Sequence, residues 1–165
     1  NVFVGILFAV GTSLYLYKGY STVEDFVLDG AGLLAVGIAL LPTSCPAQVE
    51  CDTFTAPFWH GVSAILFFIL IAYICIFRSS DTLDQNQSQI DQSRKNFYKA
   101  IYWKLGVAMV ALPSVSALWL SLVGETGSLI FWVELAGVWV FSAYWIVKTI
   151  EINESQIEKI ENFGQ

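Results

Sequence analysis

Residues 58–77 read FWHGVSAILFFILIAYICIF, twenty positions without an Asp, Glu, Lys or Arg, and this run decides the fold class. At the helical rise of ~1.5 Å per residue it reaches across the ~30 Å hydrocarbon layer of a bilayer. A backbone in lipid has no water to bond and must satisfy its own N–H and C=O groups, which leaves a helix or a closed barrel. The alternation of apolar and polar residues that marks a barrel strand is absent, so the run predicts a transmembrane helix.

Working outward, four more apolar stretches stand at Val2 to Tyr17, Phe26 to Leu41, Ala100 to Val123 and Leu129 to Val147. The first two are short, and Pro113 inside the fourth should kink it by removing a backbone donor. The chain of 165 residues is 56% hydrophobic and 13% charged, where a soluble domain carries roughly a quarter of its residues charged. The expected fold is an all-α, polytopic transmembrane bundle of five spans over residues 1–148, followed by a cytoplasmic tail over 149–165. In that tail Ile150, Ile157 and Ile160 keep helical spacing among Glu151, Glu154, Glu158 and Glu161. It reads as a continuation of the fifth helix that touches a partner.

Charge fixes the orientation. With five alternating spans, Lys18, Arg78, Arg94, Lys95, Lys99, Lys148 and Lys159 fall on one side, and Lys104 can snorkel to it. The segments 43–57 and 124–128 on the other side hold no Lys or Arg. The positive-inside rule makes the basic side cytoplasmic, with Gln165 inside the cell and the chain multi-pass. A net charge of −6 argues against nucleic-acid binding, which needs a basic face. Tyr15, Tyr17, Tyr20, Tyr98, Tyr102, Trp103, Tyr144 and Trp145 collect near the inner boundary, and Phe58, Trp59, Trp119, Phe131 and Trp132 near the outer one. Most of these read as interfacial anchors. The polar stretch Ser79 to Phe97 reads as a solvated loop.

Candidate chemistry falls in two layers. Ionisable groups within spans are costly and therefore functional candidates. His60, Ser63 and Glu134 form an outer layer in which His60 and Glu134 are expected within hydrogen-bond reach. Asp25, Asp29 and Lys104 form an inner layer, where the acids suit a helix N-terminus and Lys104 can pair with Asp29. Either layer is a candidate ligand-binding site. Catalysis is the lesser reading, because no nucleophile-elbow pattern accompanies Ser63. Cys45 and Cys51, on the outer side, are expected to form a disulfide in an oxidising compartment, and Cys75 to be a small core residue. No metal site and no cofactor are implied, since the cysteines have no zinc-type ligand spacing. Ala31, Ala35 and Ala39 with Gly30, Gly32 and Gly37 make a small-residue face for close helix packing.

The chain resembles a group of uncharacterised bacterial multi-helix membrane proteins. The resemblance runs through Val2-Phe3-Val4-Gly5, Tyr17-Lys18-Gly19-Tyr20, Ala39-Leu40-Leu41-Pro42-Thr43, His60-Gly61-Val62-Ser63-Ala64, and Phe131-Trp132-Val133-Glu134 through Trp145-Ile146-Val147-Lys148. It implies an inner-membrane location and a six-helix parent with a further helix before Asn1. A more distant likeness to membrane hydrolases of the alkaline-ceramidase and progestin-receptor type implies a zinc held by several histidines, but this chain has His60 alone. The leading expectation is a membrane protein that binds membrane lipid or another hydrophobic ligand, or serves as a subunit beside a membrane partner or a second copy. A metal-dependent hydrolase completed upstream and a small transporter or proton path are the alternatives.

Overall fold

A computed structural model describes residues 2–19, 21–44, 56–79, 92–123 and 127–163. Among the described residues all regular structure is helical, with no strand. The helices are α1 (Val2–Leu16), α2 (Thr22–Leu40), α3 (Ala56–Tyr73, running on into a π turn at Ile74–Arg78), α4 (Gln92–Val123) and α5 (Gly127–Phe163). Two stretches among the described residues, Ala56–Arg78 and Phe131–Ser155, are long and apolar enough to cross a membrane, and Val2–Leu16 is a shorter apolar helix. Contacts divide the chain into two compact units, residues 1–71 and 72–165.

In the first unit α1 and α2 form an antiparallel hairpin. Ser21 caps α2 by accepting a hydrogen bond from the Glu24 amide at 3.2 Å, and the Gly19 amide donates to the Asp25 carboxylate, closing the turn. Glu24 and Asp25 stand in the first turn of α2, where the macrodipole favours acids. Pro42 follows the last turn, which ends with the Leu41 amide on the Gly37 carbonyl at 3.0 Å. The buried residues Leu7, Gly11 and Leu14 of α1 face Leu28, Ala31, Gly32, Ala35 and Ile38 of α2. Their backbones touch: a Cβ built on Gly32 would lie 2.7 Å from the Gly11 carbonyl oxygen, and one on Gly11 would lie 2.8 Å from that of Gly32. Only hydrogen fits at either position. The small-residue face expected on α2 is thus a packing face, with Ala31 and Ala35 fully buried.

In the second unit α4 and α5 form another antiparallel pair, and the end of α3 packs on α4. Buried positions on α5 fall at Gly137, Phe141, Tyr144, Lys148, Glu151 and Ser155, alternating four and three apart. Those on α4 fall at Lys95, Tyr98, Tyr102, Gly106 and Met109. This is the seam of a coiled coil, in which the repeat of ~3.5 residues keeps one stripe facing the partner. One expectation changes here. Residues 92–97 are helical and belong to α4, so the polar stretch after Ser79 is shorter than its composition suggested; residues 80–91 lie outside the described ones. Pro113 lies inside helix α4, which runs on both sides of it. Helix α5 runs unbroken from the apolar span through residue 148 into the polar stretch as far as Phe163.

Candidate functional site

Among the described residues, a highly organised polar group lies in the second unit, where the stripes of α4 and α5 meet the end of α3. Lys148 and Glu151 sit one turn apart on α5, each with 1% side-chain exposure, and their charged ends are 3.2 Å apart. The Lys148 ammonium also donates to the Ser79 carbonyl at 3.1 Å and lies 5.4 Å from the centre of the Tyr102 ring. The Tyr102 hydroxyl donates to the same Glu151 oxygen that receives Lys148. Tyr144 meets Tyr102 edge to face at 5.7 Å. One ammonium therefore serves a carboxylate, a helix-end carbonyl and an aromatic face at once.

The Ser79 carbonyl is available because α3 ends in a π turn. The Ser79 amide bonds the Ile74 carbonyl, five residues back, at 2.8 Å, and its hydroxyl bonds the Cys75 carbonyl. The last carbonyls of a helix have no partner within it, and a cation there complements the negative end of the macrodipole. On the other side the widened turn presses on Gly106, where a Cβ would collide with Ile76 and come within 3.1 Å of the Cys75 Cβ.

A second, shallower layer continues the network outward. Glu154 accepts from the Tyr98 hydroxyl at 2.8 Å and from Arg94 at 3.0 Å, and the Arg94–Glu154 pair is 55% and 37% exposed. Tyr98 stacks over Tyr102 at 6.4 Å. Burial, and then the bond to Glu154, push the Tyr98 phenol up to about 12. From Arg94 inward to Lys148 the polar groups pass from open to fully buried, a grading in which the dielectric falls and each pairing strengthens.

The residues expected to form sites lie elsewhere. His60 is buried on α3 and its Nδ1 bonds the Leu41 carbonyl at 2.9 Å. Since a carbonyl only accepts, Nδ1 carries the hydrogen, and the ring ties α3 to the end of α2. Ser63, half-buried on the next turn, faces Gly37, whose Cβ would lie 3.4 Å from its hydroxyl. His60 and Ser63 therefore share the face that packs on α2. Glu134 is half-buried on α5 in the other unit. Asp25 closes the turn before α2, Asp29 is half-buried one turn along α2, and Lys104 is exposed on α4. Cys75 is buried with a free thiol, whereas Cys45 and Cys51 lie outside the described residues. Among the described residues no three His, Cys, Asp or Glu side chains stand close enough to hold a metal ion.

Lys148, Glu151, Tyr98 and Tyr102 were legible only as topology markers, tail charge and interfacial anchors. The tyrosines and Lys148 are instead buried in the helix seam. The signal that finds them is spacing: Tyr144, Lys148, Glu151 and Ser155 carry the apolar stripe of Gly137 and Phe141 forward at steps of four and three, so they inherit its inward direction. No protein-family model, no curated protein and no solved structure matches the chain.

Proposed function

We propose that this chain is a five-span inner-membrane protein with a cytoplasmic C-terminus, working as a lipid-binding membrane subunit rather than as a soluble enzyme. One observation carries the reading: every helix turns large apolar side chains outward. Leu16 of α1, Leu33 of α2, Ile65 of α3, Leu122 of α4 and Trp139 of α5 are all at least 60% exposed. Soluble monomers rarely show apolar patches beyond a few hundred Å², and lipid is the solvent in which such a surface is stable. The shorter α1 and the acid-opened α2 fit as spans whose ends lie at the headgroup level, since Glu24, Asp25 and Asp29 fall in the first two turns of α2. The buried ion pair of α5, bonded to Tyr102 of α4 and to Ser79 at the end of α3, fits the same reading as a register device for helices that gain little from apolar contact in lipid.

The test is fractionation followed by lipid analysis. The full chain should stay in the membrane pellet through alkaline carbonate, and detergent-purified protein should retain phospholipid by native mass spectrometry. Release by carbonate would overturn the membrane reading, and loss of all lipid in mild detergent would remove the lipid-binding part. A reporter fused after Gln165 checks orientation, because activity of an enzyme that folds only in the periplasm would reverse it.

A further inference from the structure

We propose that the π turn at the end of α3 is a two-position element, and that Lys148 selects its position by holding the Ser79 carbonyl. Two independent contacts grip the turn in its widened form. The first is the Lys148 ammonium on the Ser79 carbonyl at 3.1 Å. The second is the bare backbone at Gly106, which leaves room for Ile76 and Cys75 to bulge toward α4. A π turn holds one residue more than the α turn it replaces, so it relaxes readily when its partners let go. Relaxation shifts the register at the end of α3 by one residue, a rotation of about 100° at the turn per residue of an α-helix.

The groups around the ammonium make the position of Lys148 conditional. Glu151 of α5 pairs with it, Tyr102 of α4 bonds that carboxylate and lies beneath the ammonium, and Tyr144 packs against Tyr102. Glu154, Tyr98 and Arg94 continue the network toward the exposed rim. The same ammonium that bonds the Ser79 carbonyl bonds Glu151, so both contacts depend on the position of Lys148. Through this connection the seam of the α4/α5 hairpin reaches the exit of α3.

Cys75 reports the state of the turn, because it lies inside it and is fully buried. In the full-length protein carrying Cys45→Ser and Cys51→Ser, Cys75 is the remaining thiol, the chain having three cysteines. It should react slowly with a small maleimide. Lys148→Met should accelerate labelling at least ~10-fold. The double variant Lys148→Met/Glu151→Gln separates this from simple loss of stability: it leaves no unpaired buried charge and recovers much of the thermal stability. Its Ser79 carbonyl still has no cation, so labelling should stay fast. Gly106→Ala, which presses on the bulge from the opposite side with Lys148 intact, should also accelerate labelling and covers the case in which Lys148→Met fails to fold. Labelling that returns to the wild-type rate as stability recovers in the double variant would overturn the proposal. So would slow labelling in a folded Gly106→Ala protein.

Discussion

The α1/α2 and α4/α5 pairs are both antiparallel hairpins, and they are joined by opposite means. In the first, Gly11 and Gly32 bring backbone against backbone and Ala31 and Ala35 fill what remains, with small residues at the closest crossing. In the second, tyrosines and a buried Lys–Glu pair hold the helices. In the proposed membrane setting, lipid would give two apolar helices little reason to prefer each other over acyl chains, so association would come from close van der Waals contact or from interhelical hydrogen bonds. Each hairpin uses one of these. The first tolerates no added atom at its crossing, and the second tolerates no unpartnered charge.

Substitutions can break that contrast, and the largest effect is expected from removing one partner of the buried pair. Lys148→Met leaves the Glu151 carboxylate unpaired inside the seam, at a cost of about 3–5 kcal/mol. Unfolding in detergent should show that loss, with protease protection of α1 and α2 unchanged. Next comes Gly32→Ala, whose methyl must displace a carbonyl now 2.7 Å away. Overpacking of this kind costs about 1–3 kcal/mol and should loosen the first hairpin alone. Tyr102→Phe removes one donor to Glu151 and should cost roughly 1–2 kcal/mol, less than the loss of Lys148 because the ion pair remains.

The last two effects sharpen the grading from buried to exposed within the second hairpin. The Tyr98 phenol, ordinarily at 10.0 and here at about 12, keeps its proton longer in the folded chain than in the unfolded one. Its contribution is complete below pH ~10 and is lost as pH rises toward 12. A tyrosinate absorbance titration, read as the difference between the wild type and Tyr98→Phe, should show this ring losing its proton above the ordinary tyrosine value, and Glu154→Gln should bring it down. Arg94→Ala removes an ion pair open to solvent on both sides and should change stability by less than ~1 kcal/mol. Even that difference should fade at high salt.

Much of the helical frame was legible because apolar length is a one-dimensional property. Residues 58–77 are uniformly apolar, and the run declares a helix without knowledge of its neighbours. The glycine and alanine stripe of α2 was equally plain, since small residues four apart have one use on a buried helix face. Lys148 and Tyr102 were opaque for a physical reason. A lysine or tyrosine near the end of a span snorkels to water or turns inward according to the rotation of its helix about its axis, and residue counting does not contain that angle. His60 looked like chemistry because an ionisable ring within a span is costly, yet a carbonyl left over at the end of α2 is as good a partner as a substrate. The start of α4 at Gln92 was hidden because residues 92–96 carry polar side chains, and among them Lys95 alone is buried on the seam.

In the proposed membrane setting, the hydroxyls of α5 change what its letters would mean to lipid. Ser142 and Thr149 are exposed, and each returns its hydrogen to the carbonyl one turn back, on Val138 and Trp145, at 2.8 Å. Lys148 and Glu151 neutralise each other out of sight. A residue-by-residue hydropathy sum charges these four as though each faced the bilayer with its polarity open, and the most apolar eighteen residues within 131–155 average 1.3 against 2.4 for those within 56–78. Acyl chains would meet neither an unspent hydroxyl nor a bare ion at these positions. The two stretches are therefore closer in their outward chemistry than their compositions suggest, and, on the membrane reading, partition experiments on the isolated α5 peptide should underestimate how readily the folded chain would stay in a bilayer.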